Sequence, residues 1–144
     1  MPQLRTIPQE SLPDLLEQHR IWLATDGTRG QQADLQDADL IGRSLWRADL
    51  RRALLNRSDL SAADLDHADL RGAFLQGARL AGTSLWEARL GQADLRDADL
   101  HDAKLDPADL RGADLTRANL DGVSLRSALR SALLDGGADI GCGP

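Results

Sequence analysis

The stretch ADLRDADLHDAKLDPADLRGADL, residues 93–115, has a leucine at every fifth position. The same spacing runs from Leu35 to Leu125, which makes 19 consecutive leucines without a gap. A small residue stands two positions before almost every leucine, and it is alanine in 15 of the 19 cases. Arg43 is the one large residue at such a position. A repeat of five residues, sustained over this length, decides the architecture.

Neither regular secondary structure repeats every five residues. On an α-helix five residues advance about 500°, so successive leucines would surround the whole cylinder. On a flat strand they would alternate between the two faces. The small residue and the leucine, however, lie two apart and point the same way in a short extended segment. The three residues that follow turn a corner, so the pattern predicts an all-β solenoid wound around the leucines.

The pattern A-(D/N)-L-x-x, as in residues 93–97 and 118–122, resembles that of the pentapeptide-repeat family. The resemblance covers residues 33–127, about two thirds of the chain. It implies a right-handed quadrilateral β-helix with four pentapeptides per coil, and hence nearly five coils. At about 4.8 Å per coil the rod would be roughly 23 Å long.

A solenoid needs a cap at each end, because a bare terminal coil exposes leucine and unpaired backbone. In the N-terminal segment, residues 1–32, Ser11 and Asp14 have the spacing of a capping box. Apolar residues then recur at helical spacing. We expect an α-helix over about residues 12–24, with His19 and Trp22 packed on the first coil. Arg43 is expected to distort that coil beneath the helix.

At the other end the five-residue register breaks at Arg130. We expect residues 128–144 to form a second short helix followed by a loose tail. Some members of the family dimerise through this end, so the resemblance implies a possible homodimer interface. A simple cap is the alternative.

Composition narrows the class of protein. A chain of 144 residues fits one domain, and a net charge of −6 argues against direct nucleic-acid binding. No apolar run approaches the ~20 residues that span a membrane. The N-terminal MPQLRTIPQE lacks the apolar stretch of a secretory signal. We therefore expect a bacterial-type cytoplasmic protein with no membrane association.

The residues that carry chemistry are scattered. His19, His67 and His101 do not share a stacking position, and Cys142 is a single cysteine. No glycine-rich phosphate loop is present. We expect no catalytic residue, no metal site and no cofactor, and therefore not an enzyme.

Residues 20 apart should stack, because four repeats make a coil. One face then gathers carboxylates against Arg79 alone, namely Asp39, Asp59, Asp99, Asp102 and Asp121. Some pentapeptide-repeat proteins mimic B-form DNA and act on DNA gyrase, so the resemblance offers a topoisomerase modulator as one function. Duplex DNA of this length carries roughly 14 negative charges, whereas these five aspartates and Arg79 leave a net of four. An aspartate before leucine also has a structural role, because it can accept a backbone N–H at a corner.

Apolar residues interrupt the pattern at two places. Leu54 and Phe74, 20 apart, replace the usual aspartate, and Trp46 and Trp86 lie 40 apart with Asp66 between them. Adjacent exposed apolar side chains mark a docking patch, unless the position merely tolerates them. The leading hypothesis is a non-enzymatic, rigid protein-interaction module with an unidentified protein partner. The DNA mimic and a structural filler without a dedicated partner are the alternatives.

Overall fold

The structure is a computed structural model that describes residues 3–124. Its elements are strand β1 (Arg5–Thr6), helix α1 (Leu12–Ala24) and strand β2 (Ala38–Asp39). From residue 33 onward the chain winds into coils of 20 residues. Parallel bridges join each ladder residue to the one 20 positions later, from Asp34–Leu54 to Asp99–Asn119. This spacing confirms four pentapeptides per coil. The ladder residue of each pentapeptide forms one bridge to the coil that follows.

Four walls follow from the 20-residue coil, and we number them by their inward leucines. Wall 1 carries Leu35 and every twentieth residue after it, wall 2 starts at Leu40, wall 3 at Leu45 and wall 4 at Leu50. Walls 1 and 3 are therefore opposite, as are walls 2 and 4.

The core is a column of leucines. Every leucine at five-residue spacing from Leu35 to Leu115 is at most 2% exposed. Most of the small residues two positions earlier are also buried, because both point inward from the same extended segment. Two buried hydroxyls find carbonyl acceptors: Ser58 Oγ donates to Leu55 at 2.8 Å, and Thr83 Oγ1 donates to Leu60 at 2.7 Å.

The corners are tight turns, and all those described except the one at Asp106–Pro107 place a residue of positive φ before the inward small residue, as a type II turn does. The N–H of Ala93 donates to the carbonyl of Leu90 at 3.0 Å, and the residue before the alanine has a positive φ, as at Gln92 (59°). The ladder aspartate also accepts the N–H two residues later, as Asp94 Oδ1 does from Arg96 at 3.2 Å. The corner role predicted for these aspartates is thereby confirmed.

Helix α1 has the bounds that the sequence predicted. Leu12 and His19 are buried, and Leu15 and Leu16 pack against the leucine column. The predicted capping box, in contrast, is wrong. Ser11 is the N-cap residue but its backbone is helical (φ −88°, ψ −20°) and its side chain makes no capping hydrogen bond. Pro13 moreover removes one of the N–H groups that a cap would satisfy.

The segment before the helix extends the solenoid by one short strand. β1 pairs with β2 in parallel, with Arg5 opposite Ala38 and Thr6 opposite Asp39. The contacts of Arg43 account for a large residue at an inward position where the repeat otherwise has a small one. Its guanidinium donates to the carbonyl of Ile7 at 2.6 Å and to the side chain of Gln9. Arg43 therefore ties residues 7–9 to the first coil.

The predicted C-terminal helix, the tail and the possible dimer interface fall in residues 125–144, outside the described residues. Within residues 3–124 no helix has the length and apolar character that crossing a bilayer requires.

Candidate functional site

The four apolar candidates separate into two pairs on opposite sides of the rod. Leu54 and Phe74 are bridged neighbours on wall 1. Trp46 and Trp86 directly follow inward leucines of wall 3, half a coil away. The structure therefore offers two distinct surfaces.

The wall 1 pair, Leu54 and Phe74, exposes less apolar side chain than the two tryptophans of wall 3. Phe74 is 41% exposed, whereas Leu54 is half-buried. The backbone ladder continues unchanged through both residues: the N–H of Phe74 donates to Ala53 at 3.0 Å, and its carbonyl accepts from Leu55 at 2.8 Å. The ladder position tolerates an apolar side chain because these bonds belong to the backbone.

The two tryptophans are joined into one surface by His67. The His67 ring lies edge-on to both, with centroids 6.5 Å from Trp46 and 5.0 Å from Trp86. Trp46 is 53% and Trp86 44% exposed, and the His67 side chain is partly exposed. We call these three residues the aromatic surface. The sequence pattern placed Asp66 between the tryptophans and missed His67, which lies 21 residues after one and 19 before the other.

Hydrogen bonds hold the aromatic surface in place. His67 occupies a corner with φ of 60°, and its N–H donates to the carbonyl of Trp86 at 2.9 Å. Its Nδ1 lies 3.2 Å from Glu87 Oε2. Asp66 Oδ1 accepts from the Trp86 N–H at 3.0 Å and from Ser84 Oγ at 2.5 Å. Two carboxylates therefore border the rings.

A guanidinium already rests on this surface. The Arg47 Cζ atom lies 4.4 Å from the centroid of the Trp46 ring. Cation–π contacts of this kind contribute about 0.5–1 kcal/mol at exposed sites. At the cap, Arg52 makes the same contact with Trp22 at 4.7 Å.

The acidic candidates lie along wall 2 and its corner, and several are already engaged. Asp59 is only 3% exposed and lies 3.3 Å from Arg79. Asp99 Oδ1 lies 2.8 Å from Nδ1 of His101. Burial alone would raise the pKa of Asp99, but the hydrogen bonds from His101 outweigh it and lower that pKa. The same bond raises the pKa of His101.

Among the remaining acidic candidates, Asp39 also serves a turn, because its Oδ1 accepts the N–H of Ile41 at 3.2 Å. Asp102 and Asp121 are joined through the backbone, where the N–H of Asp102 donates to the carbonyl of Asp121 at 2.8 Å, and this bond does not involve their carboxylates. The carboxylates of Asp39, Asp59 and Asp99 are therefore engaged in the architecture.

Wall 4 gathers arginines, and its ion pairs repeat one geometry. Arg51 and Arg71 each chelate the aspartate two residues earlier through Nε and a terminal nitrogen, at 2.6–2.8 Å. Arg89 lies 3.6 Å from Asp69 in the preceding coil. The positive charge of this wall is thus balanced locally.

The sequence model of one family, Pentapeptide repeats (8 copies), matches residues 33–72, 73–111 and 93–129. The chain is a member of the pentapeptide repeat family. Membership confirms the resemblance seen in the sequence and brings with it the family's right-handed quadrilateral β-helix. No curated protein sequence matches the chain.

Solved pentapeptide repeat structures resemble the chain over most of its length. HetL from the cyanobacterium Nostoc, described as involved in heterocyst differentiation regulation, is 35% identical over 71% of this chain and 46% of its own, with a TM-score of 0.39. A protein from the Arabidopsis thaliana thylakoid lumen is 30% identical over 65% of this chain and 61% of its own, with a TM-score of 0.38. Rfr23 from the cyanobacterium Cyanothece is 33% identical over 71% and 62%, with a TM-score of 0.37. The chain thus spans less than two thirds of each of these structures.

The histidines of this pentapeptide repeat protein serve three separate places: His19 the cap, His67 the aromatic surface and His101 the acidic wall. In the described part of the chain, no group of three or more histidine, cysteine, aspartate or glutamate residues is arranged to hold a metal ion.

Proposed function

We propose that the chain is a rigid, non-enzymatic protein-binding module that contacts its partner through the aromatic surface, Trp46, His67 and Trp86. The observation that carries this proposal is the contiguity of the three rings. Two half-exposed tryptophans and a histidine form one continuous patch. Tryptophan is enriched among the few interface residues that dominate binding energy.

The solenoid supports this role by holding the rings still. The residues beneath the aromatic surface are tied into the ladder in both directions: the N–H of Leu65 donates to Ser84 at 2.8 Å, and that of Asp64 donates to Arg43 at 2.9 Å. A preorganised surface loses little conformational freedom when it binds, so more of the contact energy appears as affinity.

Leu54 and Phe74 form a second and weaker candidate for the contact. Only one large ring is exposed there, and Leu54, its neighbour in the ladder, is half-buried. This pair lies on the opposite wall and therefore serves as a matched control.

Affinity capture with substituted baits tests the proposal. Immobilised wild type, Trp46→Ala/Trp86→Ala and Leu54→Ala/Phe74→Ala are exposed to the same lysate of the source organism, and retained proteins are quantified by mass spectrometry. We expect one partner to be retained by wild type and by the wall 1 variant and lost with the tryptophan variant. Circular dichroism checks that all three baits are folded. A partner retained equally by all three would contradict the proposal.

The acidic residues of wall 2 favour a second candidate function, modulation of a type II topoisomerase by DNA mimicry. The pairing of Asp59 with Arg79 and of Asp99 with His101 weakens it. A gyrase supercoiling assay, with the protein titrated in alone and beside a quinolone, tests this function. We expect no change in supercoiling; inhibition or protection at low micromolar concentration would make the acidic wall the functional site instead.

A further inference from the structure

We infer that the aromatic surface recognises arginine side chains on its protein partner, with Trp86 as the receiving ring. This inference rests on the proposed function and names the chemistry of the partner. It combines the exposure of Trp86 with the sign of the charges around it.

The charges around the aromatic surface are mainly negative. The ladder and corner residues of this wall contribute two cations, Arg47 and Lys104. They contribute four carboxylates: Asp64, Asp66, Glu87 and Asp106. A partner with positive charge therefore suits this wall better than one with negative charge, because opposite charges attract across a contact and like charges repel. Phosphate-bearing partners such as nucleic acids would meet repulsion.

The wall itself shows how its rings receive a cation. Arg47 from the same chain lies over Trp46 at 4.4 Å. Trp86 has the same place in its repeat and is 44% exposed. Its successor in the chain is Glu87, where Trp46 is followed by Arg47. At Trp46 the cation comes from the next residue in the chain, Arg47. At Trp86 the next residue is the carboxylate Glu87, so we expect the cation to come from the partner.

Arginine fits this arrangement better than lysine. A guanidinium is planar, stacks on an indole face and donates paired hydrogen bonds to a carboxylate at its edge. Trp86 offers the face, and Asp66 offers a carboxylate close to the same residue, with Oδ1 bound to the Trp86 backbone N–H and to Ser84 Oγ. An ammonium group matches the charge but not the plane.

The test titrates the full chain with the synthetic peptide acetyl-Gly-Arg-Gly-Arg-Gly-amide. The readout is the set of indole N–H resonances, assigned by Trp→Phe variants at positions 22, 46 and 86. Two matched peptides replace arginine with citrulline, which keeps the shape without the charge, or with lysine, which keeps the charge without the plane. We expect the Trp86 resonance to shift most, and replacement by citrulline to weaken binding about two- to fivefold.

Substitutions in the protein complete the test. Trp86→Ala and Asp66→Asn/Glu87→Gln should each weaken arginine-peptide binding, whereas Phe74→Ala on the opposite wall should leave it unchanged. Equal binding of the arginine and citrulline peptides, or equal binding by Trp86→Ala, would overturn the inference. If captured partners still depend on Trp46 and Trp86 in that case, the proposed function stands and only the arginine preference falls.

Discussion

The backbone N–H of Ala33 donates a hydrogen bond to Nδ1 of His19 across 3.0 Å. The other ring nitrogen, Nε2, lies 3.0 Å from the carbonyl of Arg51, to which it donates. A neutral ring with its proton on Nε2 satisfies both neighbours. Ala33 lies at the start of the first coil and Arg51 lies near the end of that coil. The buried side chain of His19 therefore binds helix α1 to both ends of the first coil.

This geometry makes the stability of the cap depend on pH. Burial lowers the pKa of His19 below its ordinary value of 6.5. The unfolded chain therefore binds a proton at a higher pH than the folded chain, and stability falls as the pH drops below 6.5. His101 has the opposite sign, since its raised pKa adds stability below 6.5 that is lost as the pH rises through the folded value.

Histidine NMR titrations and urea unfolding between pH 8 and pH 5 check this prediction. His19 should titrate below His101. His19→Gln should reduce the loss of stability at low pH, whereas His101→Gln should not. A His19 pKa above that of His101 would contradict the account.

The turn after helix α1 requires glycine at position 30. Gly30 has φ of +73°, and a Cβ there would overlap the carbonyl oxygen of Gln18 and lie 2.6 Å from the backbone nitrogen of Trp22. We expect Gly30→Ala to lower the free energy of unfolding by about 2–4 kcal/mol. Gly42→Ala is the matched control, because Gly42 has φ of +66° with nothing within 4 Å of the added methyl. It should cost only about 1–2 kcal/mol. Equal losses in chemical denaturation would show that the contact with the helix is unimportant.

Two adjacent alanines should respond oppositely to glycine. Ala62 is exposed at a corner with φ of 56°, so Ala62→Gly should be neutral or stabilise by up to about 1 kcal/mol. Ala63 points into the core and is 2% exposed. Ala63→Gly should destabilise by about 1–2 kcal/mol, through a lost buried methyl and a freer unfolded chain. Thermal unfolding of both variants gives the comparison, and a larger loss at Ala62 would refute the assignment of these corners.

The solenoid was predictable because one rule repeats. Each leucine from Leu35 onward marks the same inward position, so single departures from the repeat, such as Arg43 or Phe74, do not change the predicted architecture. The corner aspartates were predictable for the same reason, since a short carboxylate before the leucine finds the N–H two residues later wherever it occurs.

Features outside the repeat were harder to predict. Strand β1 is two residues long, and the sequence before the helix gives no sign of it. Ser11 has the right spacing for a capping box but the wrong backbone conformation. His67 was missed because stacking at 20-residue intervals describes the ladder, whereas a corner side chain reaches diagonally to residues 19 and 21 positions away.

Site-specific photo-crosslinking tests most directly whether the aromatic surface is the contact. A photoreactive phenylalanine analogue replaces Arg47, beside Trp46, or Gln92, an exposed residue at the equivalent corner position after wall 4. Both positions have positive φ, 56° and 59°, so the strain is matched. Irradiation of cells of the source organism should give a cross-linked protein partner from position 47 and none from position 92. Cross-linking from position 92 alone, or from both equally, would contradict the account.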